Sequence, residues 1–265
     1  CIRDSFRRLA VFVGGCTLAA AEAVCTALGD LDLDILEGLA SLVDKSLVRT
    51  EAEEPDGESR FGMLETIREY GLERLTAAGE ERTRTCHAVY YLSLAEEAEP
   101  AVQGSQQATG LARLEREHDN LRAALIWTRQ SGQSEIGLRL GALLGPFWRM
   151  RGYLSEGRDW LGGLLALDMS AVPQDVQARA LRAAGALALQ QGDYGPAMTL
   201  FQESLTLSRR LGDDKSFSDA LRHLATVTMQ QGDYKRATGL YEESLSLDRE
   251  LGNMHGLCSS LLNVG

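Results

Sequence analysis

The chain lacks any uninterrupted apolar run of about 18 residues, so no single helix of it can be read as a membrane span. It also lacks the basic n-region and short apolar h-region of a secretory signal. Neither a phosphate-cradling GxxxxGK[ST] loop nor an HExxH or GxSxG motif occurs, which removes the usual sequence signatures of nucleotide, zinc and serine-nucleophile chemistry. Cysteine is present five times, at Cys1, Cys16, Cys25, Cys86 and Cys258. The odd count and the lack of a CxxC pair point to small buried side chains in a reducing compartment rather than to disulfides or a metal site. Basic charge is in deficit. With 27 Lys and Arg against 38 Asp and Glu, the net charge is −11. Phosphate backbones and anionic lipid surfaces call for the opposite sign.

What is present is an ordinary globular composition, 44% hydrophobic and 25% charged. The 265 residues suffice for about two domains. The first residue is Cys1 rather than Met, and Gly265 falls inside a helical pattern. The expectation is a segment of a longer cytoplasmic protein.

The strongest internal signal is a duplication. Gln191-Gly192-Asp193-Tyr194 opens a run ending at Leu211-Gly212-Asp213, and Gln231-Gly232-Asp233-Tyr234 opens one ending at Leu251-Gly252-Asn253. The matched positions include Ala197 with Ala237, Leu200 with Leu240, Phe201 with Tyr241, and Glu203-Ser204-Leu205 with Glu243-Ser244-Leu245. A fixed period of this length means stacked helical units. Gly152 precedes Gly192 by the same interval and marks an earlier, more divergent unit, with Trp160 and Leu161 at the places of Leu200 and Phe201. Each unit reads as a helix pair in which glycine stops the first helix. Asp193 and Asp233 stand where they can cap the second, and Pro196 lies in its first turn. The first helices are expected over Val176–Gln190, Phe217–Gln230 and Gly256–Gly265.

The N-terminal third changes period. Ser5 to Val13 reads as a short helix ended by Gly14-Gly15. Thr17 caps a second helix that stops at Gly29. Asp32 or Asp34 starts a third, with Ile35, Leu36, Leu39, Leu42 and Val43 on its apolar side. Ser46 to Thr50 and Ser59 to Met63 read as two strands of a hairpin around the turn signal Pro55-Asp56-Gly57. Three small helices and a hairpin are the order of a winged helix. A DNA-reading third helix would meet phosphates with Asp32, Asp34, Glu37 and Asp44 against Lys45 alone, an unfavourable face.

Leu64 to Ala78 reads as an amphipathic helix, with Ile67, Tyr70, Gly71, Leu72 and Leu75 near one side. Met63 and Leu64 read as core at the hairpin-to-helix junction. Glu80 to Glu99 reads as a helix ended by Pro100, 102–109 as a hinge loop, and Leu111 to Thr128 as one helix. Ser134 to Gly152 reads as a helix with a kink or break at Gly145-Pro146, followed by the core aromatics Phe147 and Trp148. The Cys86-His87 pair has no further ligand nearby to make a metal site, and Glu117-His118-Asp119 cannot converge on one, since adjacent helical residues point about 100° apart.

Three stretches together resemble a known family. These are Phe6 to Gly15, Leu39 to Val48, and Arg60-Phe61-Gly62-Met63-Leu64-Glu65-Thr66-Ile67-Arg68-Glu69-Tyr70. They look like the winged-helix segment of the bacterial signal-transduction ATPases with numerous domains, found in LuxR-type and actinobacterial transcription regulators and related to NB-ARC switch proteins. Glu117 to Leu125 resembles a stretch that follows the winged helix in the same family. The resemblance implies a P-loop ATPase, with ATP or ADP as its cofactor, in an upstream domain in cis, and no cofactor within this segment. Where relatives carry a Met-His-Asp motif whose histidine contacts ADP, this chain has Met63-Leu64-Glu65, and Leu64 cannot donate a hydrogen bond to a phosphate. The spacing from Leu181, Gly185, Ala197 and Phe201 to Leu205 resembles the tetratricopeptide repeat, in a long form with a 40-residue period.

The expected fold is therefore mainly α. Residues 1–79 would form a winged-helix-like module with a β-hairpin, 80–150 a helical linker or start of the superhelix, and 151–265 a right-handed tetratricopeptide-like solenoid. First helices of such repeats line a concave surface, and the repeat phase places Arg179, Arg182, Gln190, Asp219, Arg222, Thr226 and Gln230 on it. Arg182 and Arg222 occupy equivalent positions and would form a basic stripe suited to a carboxylate-rich peptide or a small anionic effector. The expected role is a non-catalytic part of a transcriptional or signalling regulator. A stand-alone protein–protein scaffold and a DNA-binding winged helix are the alternatives.

Overall fold

The computed structural model describes residues 2–29, 34–51 and 59–264. The chain divides into two compact units, Cys1–Ser131 and Gly132–Gly265.

The first unit opens with α1 (Ile2–Leu9), β1 (Cys16–Thr17), α2 (Leu18–Thr26) and α3 (Ile35–Asp44). Strands β2 (Arg49–Glu51) and β3 (Arg60–Gly62) follow, then α4 (Glu65–Ala77), α5 (Arg82–Gln103), α6 (Gln107–Arg116) and α7 (His118–Gln130). Thr17 caps α2 by accepting from Ala20 N at 3.2 Å, and Asp34 caps α3 by accepting from Leu36 N at 2.8 Å. Asp32 and the Pro55-Asp56-Gly57 turn lie outside the described residues.

The expected hairpin is a three-stranded antiparallel sheet of order β1-β3-β2. β1 pairs Cys16 with Phe61 and Thr17 with Arg60. Its two residues are too few to show an alternating pattern in the sequence. Leu9, Ala10, Phe12, Val24, Leu39, Leu42 and Leu75 fill the core beneath it.

Several boundaries differ from the sequence reading. Leu64 is exposed at the N-cap of α4 and is not core, and Tyr70 also faces solvent. Pro100 lies inside α5, which runs one further turn to Gln103. The interval 102–109 holds only a brief break at 104–106 before α6, so it is no hinge loop. Leu111 to Thr128 is two helices, interrupted at Glu117.

The second unit is a series of antiparallel helices. It comprises α8 (Ser134–Arg151), α9 (Leu154–Leu165), α10 (Gln174–Gln190), α11 (Tyr194–Leu211), α12 (Asp214–Gln230), α13 (Tyr234–Leu251) and α14 (Met254–Val264). Each packs on the next, and α10, α12 and α14 also touch in succession, as stacked repeats require. Pro146 does not break α8, which runs through it, with Phe147 and Trp148 fully buried just after. Of the stretch 80–150, α5 to α7 belong to the first unit and α8 to the second.

The duplicated residues do the packing their spacing implies. Phe201 and Tyr241 are buried at equivalent positions. A Cβ added to Gly185 would meet the Phe201 ring at 2.7 Å, so the bare glycine backbone lets α10 lie close against that plug. The later copy has Ala225 at the equivalent position, and there the Tyr241 and Thr226 hydroxyls hydrogen-bond at 2.8 Å. Asp233 caps α13 through Arg236 N, but Asp193 makes no such bond and instead pairs with Arg158.

Phe201→Ala is expected to destabilise the second unit by about 3–5 kcal/mol, and Tyr241→Phe by about 1 kcal/mol. Urea unfolding of each variant checks this; a Phe201→Ala midpoint equal to the parent's would mean the ring is not the plug of the repeat.

Candidate functional site

Two polar clusters stand out, one in each unit. In the first, Arg60 points inward from β3 and is almost completely buried. Its guanidinium donates to both carboxylate oxygens of Glu117, and Nη2 also donates to the carbonyls of Gly14 and Gly15 at 3.3 and 3.1 Å. Gly15 is at φ +83°, where a side chain would be strained, and this turn is what aims both carbonyls at Arg60. Glu117 accepts further from Tyr91 Oη at 3.1 Å and Asn120 Nδ2 at 2.8 Å. Asn120 in turn accepts from Val13 N at 2.8 Å and from His87 Nε2 at 3.3 Å, and donates to Gly15 O at 2.9 Å.

Burial drives the His87 pKa down to about 4, so the ring is neutral and carries its proton on Nε2. Burial likewise pushes the Tyr91 hydroxyl well above its usual range. Both Glu117 carboxylate oxygens and Asn120 Oδ1 accept from donors of the same chain. Its chemistry is therefore cohesion, tying the 13–15 turn and β3 to α5 and α7.

The exposed side of α3 presents Leu36, Glu37, Ala40 and Asp44, with Lys45 just beyond. Lys45 Nζ is engaged by Ser41, at 2.5 Å from its hydroxyl and 3.2 Å from its carbonyl. This surface offers phosphates carboxylates and an apolar residue.

In the second unit the seven residues expected on the first-helix face are not equally available. Gln190 and Gln230 are exposed at the ends of α10 and α12, and Gln190 donates to Arg149 O at 3.4 Å. Arg179 is half-buried. Arg182, Asp219, Arg222 and Thr226 lie along the α10–α12 contact. Asp219 bridges the two arginines, reaching Arg182 Nη1 at 3.2 Å and Arg222 Nη2 more closely. Arg222 is buried and also pairs with Asp248 of α13 at 3.2 Å. The two equivalent arginines therefore do not form a bare basic stripe: Arg222 is consumed inside the stack, and Arg182 keeps partial access at 20% side-chain exposure. Thr226 is used by Tyr241 and by the Arg222 carbonyl.

Sequence reasoning did not find Asp248 or Ser208, which lie under this face, nor His223. His223 donates from Nδ1 to Asp219 O at 2.7 Å, stacks near Phe201 at 4.9 Å, and has its pKa lowered to about 4 by burial. The available signal for Asp248 was a carboxylate inside an otherwise apolar helical register. Among the described residues no group of three or more His, Cys, Asp or Glu is placed to hold a metal ion.

Residues 2–76 match the winged helix-turn-helix domain family. Proteins of Mycobacterium tuberculosis and Mycobacterium bovis that are named as HTH-type transcriptional regulators are 38% identical over 224 residues, covering 82% of this chain and 25% of theirs. The chain thus spans about a quarter of the length of these curated relatives. The crystal structure of a Pyrococcus horikoshii signal-transduction ATPase with numerous domains and a tetratricopeptide repeat sensor aligns with 99% of this chain and 46% of its own, at a TM-score of 0.42 and 14% identity.

Two outcomes follow from the clusters. Arg60→Met leaves Glu117 buried without its cation and is expected to cost about 3–5 kcal/mol, read from urea unfolding. His87 and His223 are neutral when folded but take up a proton near pH 6.5 when unfolded, so stability is fully present above that pH and is lost as pH falls toward about 4. Urea midpoints between pH 7 and pH 4.5 (chosen above most carboxylate titrations) should fall, and fall less steeply in His87→Gln; a flat profile contradicts the assignment.

Proposed function

We propose that this chain is the regulatory, non-catalytic part of a transcriptional regulator. Its helical repeats bind an effector or protein partner, and its winged helix passes that event to a nucleotide-dependent switch elsewhere in the same polypeptide. The observation that carries the reading is the likeness to named HTH-type regulators, which continues through the winged helix and well into the repeats. A DNA-binding module alone would not need both.

The physical basis is an equilibrium between two states of the parent protein. A ligand on the repeats moves that equilibrium by as much as its affinities for the two states differ. The polar cluster around Glu117 favours rigid transmission within the first unit, because the winged helix is tied to α5 and α7 by buried bonds rather than by a free linker. Nucleic acid is not the partner of α3 in this reading, since its exposed face is acidic. The resemblance to the signal-transduction ATPases supplies the switch, with ATP or ADP held outside this chain.

The test is made in a bacterium carrying the intact regulator. Removing 174–264 in frame should alter the transcripts that the intact protein controls, whereas loss of the whole gene and loss of the repeats giving unrelated, or the latter no, transcript changes would sink the proposal. Purified residues 1–265 should give no mobility shift with the promoter DNA at low salt. A shift there would move the DNA contact into this winged helix.

A further inference from the structure

The first unit holds a small pocket that the cluster around Glu117 does not fill. It lies where the turn after α1 meets α4, α5 and α7, and its volume is about 180 Å³. Val11, Val13, Leu72, Ala123 and Ile126 supply apolar walls, and Ile126 is 41% exposed. Among the described residues that line it, the charged groups are two arginines, Arg68 and Arg84, with no carboxylate. In a chain of net charge −11 this is a locally basic place.

The two arginines are in different states. Arg68 is paired with Glu65, at 2.9 Å through Nε, and its Nη1 reaches Ala10 O at 3.5 Å. Among the described residues no carboxylate pairs with Arg84. Its Nη2 donates to Thr76 Oγ1 at 3.4 Å, a long bond at the exposed edge of the pocket. Its guanidinium lies over the Trp127 ring, 5.3 Å from the centroid. Nε is buried with no hydrogen-bond partner, whereas the outer nitrogens stay within reach of solvent. Trp127 is held in turn, because its indole Nε1 donates to Thr85 Oγ1 at 3.2 Å.

A guanidinium set over an aromatic ring, partly dehydrated and without a protein carboxylate, is ready to pair with a carboxylate through its outer edge. The surrounding walls offer apolar area to a ring, and a cavity of about 150 Å³ suffices for a benzene molecule. Apolar walls with one oriented charge are the make-up of a small-molecule site.

We propose that this pocket binds a small aromatic monocarboxylate, its carboxylate on the outer edge of Arg84 and its ring among Val13, Leu72, Ala123 and Ile126. Such a ligand bridges α4 of the winged helix to α5 and α7. It is therefore an input to the first unit, separate from the repeats, and it stands whether or not the repeats bind a partner.

The experiment titrates phenylacetate into the whole 265-residue chain at constant ionic strength and follows tryptophan fluorescence. Of the three tryptophans only Trp127 lies in the first unit. A saturable change with a dissociation constant of about 1 mM or lower is expected, and it should vanish in Trp127→Phe. Neutral phenylacetamide and ring-less acetate should each bind at least tenfold more weakly than phenylacetate.

Arg84→Gln should weaken phenylacetate binding at least tenfold, and Arg84→Lys less so. Ala123→Leu, which fills the pocket and keeps the charge, should abolish it while the helical circular dichroism stays unchanged. Should either variant disturb the fold, the comparison of acid with amide on the parent chain still decides. Absence of a saturable change, a change retained in Trp127→Phe, equal binding of the amide, or binding indifferent to Arg84→Gln overturns the proposal. Tighter binding of a Gly-Gly-Phe peptide with a free C-terminus than of phenylacetate also overturns it, since the ligand would then be a chain end.

Discussion

Two buried carboxylates, Glu117 and Asp248, set the internal geometry of their units. A buried charge is tolerated only when a counter-charge and further hydrogen bonds replace water on it, and those partners then have little freedom to move. Glu117 collects Arg60, Tyr91 and Asn120 from three elements far apart in sequence. Asp248 collects Arg222 and Asn253. Hydrophobic burial supplies most of the driving force in both units, but it is not directional. The carboxylates add direction: they fix which turn of one helix faces which turn of its neighbour.

In the first unit this has a consequence for what the winged helix can do. A winged helix that reads DNA uses its third helix as a free, basic surface. Here α3 shows Glu37 and Asp44 to solvent, and the sheet behind it is clamped to α5 and α7 through Arg60. Stiffness on one side and an acidic face on the other suit a part that transmits a change of state within a protein better than one that grips phosphates.

The repeat architecture was readable from sequence because it rests on local, periodic features. Gly192, Gly212, Gly232 and Gly252 all take positive φ, and the Gly185–Phe201 contact follows from small and aromatic residues at a fixed interval. The winged-helix order was readable for similar reasons, through caps at Thr17 and Asp34. What sequence could not show were pairings across long separations. Arg60 and Glu117 are 57 residues apart and neither is remarkable alone. The same limit explains the stripe expected of Arg182 and Arg222. Equal phase on the helix says that two side chains share a face; it does not say which of them a carboxylate from the next helix will reach. Pro100 and Pro146 mark a different limit. Both lie within helices, because surrounding packing outweighs the loss of one backbone hydrogen bond.

Near-identical repeats are informative mainly where they disagree. Between the two copies some changes conserve volume or polarity, as with Phe201 and Tyr241 or Gly185 and Ala225, and others do not, as with Arg179 and Asp219. The change from Ser208 to Asp248 does neither, because it adds a buried charge beneath an arginine that both copies keep. In the later copy the arginine pairs with Asp248 of its partner helix, and in the earlier copy it pairs with Asp219 of the next first helix.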